Sequence, residues 1–321
     1  MNLLSIYTLM ALRKLYVWLF PVAPLPKPEC VKDANIASKL IYDKLILDAP
    51  CMIARFGAFE LAIMVNYLGV KMGPRPIVKY LKGEEKEWWW IKSLMHHMQS
   101  NAGFFPATIE KIEQFCNLML SDMKELDILG SWLGRETYFD KETRNCQKID
   151  LELLNPYFSK DPWTKALKHK KVLVVHPFAR SIESQYRKRE LLFADQQILP
   201  EFELTTLKAV QSIGGHSTFA DWFEALDYMK AKIDQIDYDI CLLGCGAYGF
   251  PLAAHIKRAG KKAFHLGGSL QLLFGIRGKR WENPEYNEQF NYAALMNEHW
   301  IRPHKDERPQ NAKKVENGCY W

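Results

Sequence analysis

Along most of the chain, short apolar runs alternate with longer stretches in which apolar residues recur at helical spacing. Short apolar runs are typical of parallel strands that are covered on both faces. The pattern therefore predicts an α/β protein with a mostly parallel sheet and helices on both faces. The predicted strands cover residues 52–56, 127–130, 171–175, 240–243 and 262–266, and the predicted helices cover residues 33–47, 59–68, 219–233 and much of 84–121.

The most distinctive segment, residues 238–281, reads as strand, glycine-rich turn, helix, strand and second glycine-rich turn. Gly244, Gly246 and Gly249 allow a sharp turn into a helix N-terminus, which predicts a Rossmann-like βαβ unit. Such a terminus offers backbone N–H groups and a positive dipole end to an anion, usually a phosphate. The alternative is that these glycines serve only the turn and close helix packing.

The letters GCGAYG at residues 244–249 match the G-x-G-x-x-G pattern of dinucleotide sites. A nicotinamide or flavin site, like a methyltransferase site, also expects an acidic residue at the end of the next strand. Here that strand ends in His265 and Leu266, and two glycines follow. An oxidoreductase or methyltransferase is therefore kept only as an alternative.

Small or polar residues follow all five predicted strands. Because the carboxyl ends of parallel strands meet at one edge of a sheet, we expect these residues to share one ligand cleft. Short βα turns favour such residues in any case, so the pattern alone does not prove a cleft. The residues at these ends are Gly57, Glu60, Ser131, Trp132, His176, Gly244, Gly246, Gly267, Gly268 and Ser269.

A second informative segment is residues 53–61, IARFGAFEL, a predicted strand that leads into a helix with Glu60 in its first turn. A carboxylate there can simply complement the helix dipole. Together with the strand ends, the segment resembles the GT-D-type glycosyltransferases, bacterial enzymes of Rossmann-like fold that build surface polysaccharides and glycoprotein glycans. Their pattern at this point is R-F-G-D-G-E, whose Asp and Glu form a D-x-E motif near the metal and the donor diphosphate. The resemblance runs loosely from residue 53 to residue 281.

The resemblance implies a glycosyltransferase that moves a sugar from a nucleotide-sugar donor to a growing surface glycan, free or lipid-linked. It also implies a divalent cation, Mn²⁺ or Mg²⁺, with Glu60 as a ligand. Ala58 stands where the family has Asp, so Glu60 alone remains of the acidic pair. One carboxylate with substrate phosphates and waters can suffice for Mg²⁺. A non-catalytic binding or scaffold protein with a degenerate transferase fold is the main alternative.

Sugar transfer requires positive charge at the departing diphosphate and a base at the acceptor hydroxyl. We expect a basic loop with glycine hinges to close over the phosphates, although a solvated surface loop has the same composition. Glu60 and His176 are the candidate catalytic residues, and His176 could equally be bonded to backbone. The candidate nucleotide-sugar-binding residues are Arg55, Gly57, Ser131, Gly244, Gly246, Gly267, Gly268 and the loop residues Arg277, Lys279 and Arg280.

The composition bounds the remaining possibilities. A chain of 321 residues with 48% hydrophobic residues can bury a substantial core. The net charge of +6 is modest and scattered, so we expect no nucleic-acid partner. Seven cysteines without a C-x-x-C pair support neither a zinc site nor a disulfide framework, and they favour free thiols in the cytoplasm.

The first twenty residues are apolar and aromatic but are interrupted by Arg13 and Lys14, and four prolines follow by residue 28. This pattern matches neither a cleaved signal peptide nor a good spanning helix. Two interpretations remain open: a helix at the inner face of the membrane, and a helix docked on the protein's own core. The predicted units are an N-terminal helix with proline linker (1–28), a transferase-like α/β domain (29–301) and a polar C-terminal tail on the surface (302–321).

Overall fold

A parallel sheet of seven strands organises the computed structural model, which describes residues 2–212, 218–308 and 320–321. The spatial order is β3-β2-β1-β7-β6-β4-β5, and every neighbouring pair is parallel. The predicted α/β, Rossmann-like fold class is therefore confirmed. The strands are β1 (Cys51–Arg55), β2 (Ile128–Ser131), β3 (Gln147–Asp150), β4 (Lys171–His176), β5 (Glu203–Lys208), β6 (Ile240–Leu243) and β7 (Lys262–His265).

Helices cover both faces of the sheet. The described helices are α1 (Leu3–Leu19), α2 (Ala34–Ile46), α3 (Ala58–Met72), α4 (Ile77–Leu81), α5 (Lys92–Ser100), α6 (Ile109–Asp122), α7 (Ala179–Tyr186), α8 (Trp222–Asp234), α9 (Gly249–Arg258), α10 (Leu270–Leu273) and α11 (Lys279–Glu282). One core lies between the sheet and α3, α5, α6, α8 and α9, and a second core lies between the opposite face and α2, α7 and α10. Alternate β1 residues point into each core, which explains why this strand is apolar on both faces.

The five predicted strands agree with the structure to within one residue at each end. The strands β3 and β5 were not predicted, because they lie at the two edges of the sheet and carry polar residues. The helical prediction for residues 84–121 is wrong for residues 84–91. There the Asn66 side chain donates to the carbonyl of Trp89 (2.9 Å) and accepts from the amide of Ile91 (3.0 Å), which satisfies the backbone without a helix.

The two ends of the chain dock differently. Leu9 is the one buried residue of α1, and among the described residues no helix is long and apolar enough to cross a membrane. The predicted surface tail is anchored where it is described, because the buried Glu307 accepts hydrogen bonds from the amides of Arg180 (2.8 Å) and Ser181 (3.1 Å) at the start of α7. Residues 309–319, including Cys319, lie outside the described part. The six described cysteines are free thiols.

Candidate functional site

The carboxyl ends of β1, β7, β6 and β4, which are neighbours in the sheet, converge on a cavity of about 140 Å³. We call it the central cavity. Ligands of open α/β sheets bind at this edge. Eight of the candidate residues line it: Arg55, Gly57, Glu60, His176, Gly244, Gly246, Gly267 and Gly268. The expectation of a shared cleft is therefore met for four of the five predicted strands.

The glycine pattern after β6 serves the packing of two histidines as well as the turn. Gly246 has a φ of +58°, a conformation that favours glycine. A Cβ at Gly244 would collide with the ring of His176, and a Cβ at Gly249 would collide with the ring of His265. Close packing therefore accounts for Gly244 and Gly249, while Gly246 shapes the turn at the cavity wall.

His176, at the end of β4, is buried and neutral. Its Nδ1 accepts a hydrogen bond from the Phe178 amide (3.0 Å), which assigns the ring proton to Nε2. Burial lowers the pKa of His176 to about 3. In this state the imidazole is a hydrogen-bond donor through Nε2, and the geometry favours that role over the predicted role of general base.

His265, at the end of β7, is the complementary group that sequence reasoning passed over. Its Nδ1 lies 3.3 Å from the carbonyl oxygen of Leu243, which can only accept, so Nε2 carries the lone pair. Burial, with the nearby charge of Arg55, lowers the pKa of His265 to about 3. The cavity therefore contains one neutral histidine donor and one neutral histidine acceptor, on the strands either side of β6.

Glu60 lies in the first turn of α3, and its carboxylate folds back over Gly57. Any side chain at Gly57 would overlap that carboxylate, which explains the glycine before the helix. Glu60 has the only side-chain carboxylate among the described residues that line the central cavity, and the described residues contain no group of three potential metal ligands. This donor set does not fit a protein cage for Mg²⁺ or Mn²⁺, because a hard cation takes several oxygen ligands.

Arg55 connects the central cavity to a second space. Its guanidinium lies over the Trp132 ring at 5.2 Å. It also lines a pocket of about 60 Å³ with Glu152, Asn155 and Arg280, which we call the junction pocket. Beyond Glu152 this pocket continues into a large groove along the carboxyl ends of β2 and β3.

The junction pocket contains a buried polar network. The Tyr292 hydroxyl donates to the carboxylate of Glu152, and burial raises the pKa of Glu152 above its ordinary value. The Asn155 amide nitrogen donates to the Tyr292 hydroxyl (2.9 Å), while Asn155 Oδ1 is buried with no hydrogen-bond partner among the described residues. A buried acceptor without a partner is unfavourable, so the network is not fully satisfied by the described residues.

The large groove, which we call the outer groove, has a volume of about 900 Å³. Aromatic and acidic side chains line it, including Trp132, Asp150, Glu152, Tyr286 and Phe290, and residues 27–30 form one wall. The candidate Ser131 also lies here rather than in the central cavity. Its hydroxyl donates to the buried carboxylate of Glu136, so it supports the turn after β2.

The predicted basic loop contributes one residue to the site. Arg280 lines the junction pocket with its guanidinium 5.1 Å from the Tyr320 ring centre. Arg277 instead donates to the Asn297 carbonyl (2.7 Å), and Lys279 is exposed on α11. Neither residue lines the central cavity, the junction pocket or the outer groove.

Residues from the far end of the chain complete the central cavity, which no sequence pattern indicated. The Tyr320 ring packs on Gly268, and the Tyr320 carbonyl accepts a hydrogen bond from Gln271 (3.2 Å). Trp321 is buried, and its ring lies 6.1 Å from that of Phe178. Gln271 is fully buried, and its Oε1 has no hydrogen-bond partner among the described residues.

The site as a whole consists of a small cavity and a large groove that the junction pocket joins. Arg55 lines the cavity and the junction pocket and lies over Trp132 of the groove. The cavity offers neutral imidazoles, a glycine turn and one carboxylate, whereas the groove offers aromatic faces and acidic groups. Such an arrangement can hold two different ligands side by side. No protein-family model matches this chain, and neither the curated proteins nor the solved structures contain a significant match to it.

Proposed function

We propose that this protein is a glycosyltransferase that moves a sugar from a nucleotide-sugar donor to a growing bacterial surface glycan. The observation that carries the proposal is that the junction pocket, which Arg55 lines, joins two chemically different spaces. A transferase must hold a charged donor and a carbohydrate acceptor next to each other, and its catalysis depends on their relative orientation. The motif resemblance at residues 53–61 supports the same reaction class.

The diphosphate of the donor occupies the central cavity in this proposal. The diphosphate lies by the turns at Gly246 and Gly267, within reach of the guanidinium groups of Arg55 and Arg280. Planar guanidinium groups bind phosphate oxygens in pairs, and they stabilise the charge that develops as the diphosphate departs. The Nε2–H of His176 supplies a further neutral donor. A bound divalent cation would add positive charge at the diphosphate, but the described residues do not form its cage.

The acceptor occupies the outer groove. The flat faces of Trp132, Tyr286 and Phe290 pack against the apolar faces of sugar rings, and the carboxylates of Asp150 and Glu152 accept hydrogen bonds from sugar hydroxyls. Glu152 lines both the outer groove and the junction pocket, so its carboxylate suits a sugar hydroxyl that reaches toward the donor. Glu60 then takes the proton from the attacking hydroxyl.

A binding protein without turnover is the second candidate. It is favoured by one observation, the presence of Tyr320 and Trp321 in the wall of the central cavity, where they reduce the room for a ligand. In either case we propose a cytoplasmic location at the inner face of the membrane, which suits the free thiols.

Calorimetric titration with nucleoside diphosphates and nucleotide sugars, with and without Mn²⁺, tests the donor site. We expect Arg55→Gln and Arg280→Gln each to weaken binding about tenfold or more, since a charged hydrogen bond contributes roughly 1.5–3 kcal/mol. Lys279→Gln is the matched control, because it removes a neighbouring charge outside the cavities, and it should bind like the parent. If the parent binds no nucleoside diphosphate, the transferase proposal fails and the binding-protein candidate becomes the better account.

A further inference from the structure

The helix α1 is apolar on almost all sides but uses only a narrow stripe to dock. Leu9 is its one buried residue and packs with Tyr80 and Trp89. Arg13 fixes the orientation of the helix, because it pairs with Glu87 at 2.8 Å and its guanidinium lies 4.6 Å from the Tyr80 ring centre. A helix that is apolar all round normally buries its other faces as well.

The outer side of α1 is instead exposed and forms one surface with the neighbouring α4. An open apolar depression of about 1200 Å³ runs between them, with Leu4 and Leu12 on one side and Ile77 on the other. Most of the large apolar side chains that the described residues expose belong to this surface or its edges. They are Leu3, Leu4, Tyr7, Met10, Leu12, Leu15, Val17, Trp18, Leu19, Phe20, Val22, Leu25, Met72, Ile77 and Val78.

The charge around this surface is net positive, although Arg13, Lys71 and Arg75 pair with Glu87, Glu113 and Glu85. Residues 1–28 contain three basic residues and no acidic ones, and residues 61–83 contain four basic residues and no acidic ones. Beyond residue 83, Glu84 is exposed, while Glu85 and Glu87 lie beside Arg75 and Arg13. An exposed apolar face framed by lysine and arginine is the composition of helices that lie in the interface of anionic membranes.

We propose that α1 and α4 together form a docking surface for an anionic lipid bilayer, with α1 lying in the plane of the interface. A second copy of this chain fits the surface less well, because symmetric pairing would place the same basic residues opposite each other. A bilayer with anionic headgroups covers the apolar side chains and compensates the charge at once. This inference names the surface that would hold the protein at the membrane, and it does not depend on the proposed sugar transfer.

The proline segment, residues 21–28, links this docking surface to the outer groove. Leu25 packs closely on Gly134. A Cβ atom added at Gly134 would lie 2.6 Å from the Leu25 carbonyl oxygen. Lys27 and Pro28 then line the groove itself. Eight residues span at most about 30 Å, so docking would hold the groove near the bilayer. If the proposed function is correct, a lipid-linked acceptor would reach the groove without leaving the membrane.

Sedimentation of the full chain with defined vesicles tests the docking surface. The vesicles are phosphatidylcholine alone, or phosphatidylcholine and phosphatidylglycerol in equal parts. We expect binding to the mixed vesicles, and a loss of about tenfold or more in Leu4→Ser/Trp18→Ser, whose side chains are each 77% exposed. Leu47→Ser/Leu191→Ser is the matched control, since it removes exposed apolar side chains elsewhere, and it should bind like the parent.

A second variant separates charge from apolar burial. Lys14→Gln/Lys79→Gln should bind the mixed vesicles several-fold more weakly, and added salt should reduce the parent's binding in the same way. Circular dichroism establishes that each variant is folded. Absence of parent binding, or equal binding by the parent and Leu4→Ser/Trp18→Ser, would overturn the proposal. The parent could instead form a concentration-dependent dimer that Leu4→Ser/Trp18→Ser abolishes while vesicle binding stays unchanged. That result would assign the surface to a second copy of the chain.

Discussion

The central cavity and the outer groove lie at the same edge of one sheet, yet they are built in opposite ways. At the cavity, several positions are glycines without side chains, and two buried histidines and tight turns form the walls. At the groove, the chain keeps large aromatic and acidic side chains, and loops such as residues 27–30 form the walls. The difference teaches that strand topology fixes where ligands meet, while the turns after the strands decide what kind of ligand each part accepts.

The two regions also differ in the sign of their response to pH. A buried histidine with a lowered pKa favours folding above its unfolded pKa, and that contribution is lost as the pH falls. A carboxyl group with a raised pKa, such as Glu152, behaves in the opposite way, because its contribution is lost as the pH rises through the raised value. Acid should therefore lower the stability of the protein through the two cavity histidines and not through Glu152.

The largest expected effect concerns His176 and His265, whose pKa values are about 3 in the folded protein. The unfolded pKa of a histidine is about 6.5. As the pH falls from that value toward 3, each of the two histidines should lower the free energy of unfolding by about 1.4 kcal/mol per pH unit. Urea unfolding measured at several pH values in this window tests the expectation. The double variant His176→Gln/His265→Gln should flatten the acid side of the profile, and an unchanged slope would show that these histidines are not buried and neutral.

The next effect separates the proposed roles of the two regions. We expect Glu60→Gln to lower both sugar transfer and donor hydrolysis on the order of 100-fold or more, because either reaction needs the base. Glu152→Gln should lower transfer about tenfold and leave hydrolysis unchanged, since it removes only an acceptor contact. Single-turnover assays with a radiolabelled nucleotide sugar distinguish the two outcomes. Near-parental turnover in Glu60→Gln would remove it from the mechanism.

The smallest effect concerns Gly249, which makes room for the buried His265 ring. Gly249→Ala places a methyl group against the buried His265 ring and should lower the free energy of unfolding by roughly 1–3 kcal/mol. Gly260→Ala is the control at the far end of α9, where no atom lies within 4 Å but the φ is +81°. Its backbone strain should cost about 1 kcal/mol. If Gly249→Ala alters stability less than Gly260→Ala, the histidine ring is not tightly enclosed.

The central strands were predictable from the sequence because they are apolar on both faces, and the turns after them are marked by glycine. The edge strands β3 and β5 were not, because their residues are partly polar and gain strand structure only by pairing with a neighbour. Local patterns also could not show that Asn66 holds the backbone at Trp89 and Ile91. That arrangement depends on contacts more than 20 residues apart in the chain.

The candidate site was also predictable only where local sequence patterns mark the residues. Arg55, Glu60 and His176 were identified because each lies at or just after a predicted strand. Arg280 was named with Arg277 and Lys279, and only the fold shows which of the three reaches a cavity. His265 lies at the end of a predicted strand but was not named as a site residue, and Trp321 carried no recognisable signal. The first resembles any polar residue at a strand end, and the second follows a stretch of polar tail.

The position of Tyr320 and Trp321 has a consequence for how the protein is made. A ribosome synthesises these residues after all seven strands, so the central cavity lacks one wall until translation has passed the end of the fold. The sheet could form during synthesis, but the cavity would gain its final shape only afterwards. A purification tag fused after Trp321 would therefore begin at the cavity wall rather than on a remote surface, and its removal belongs before any ligand is assayed.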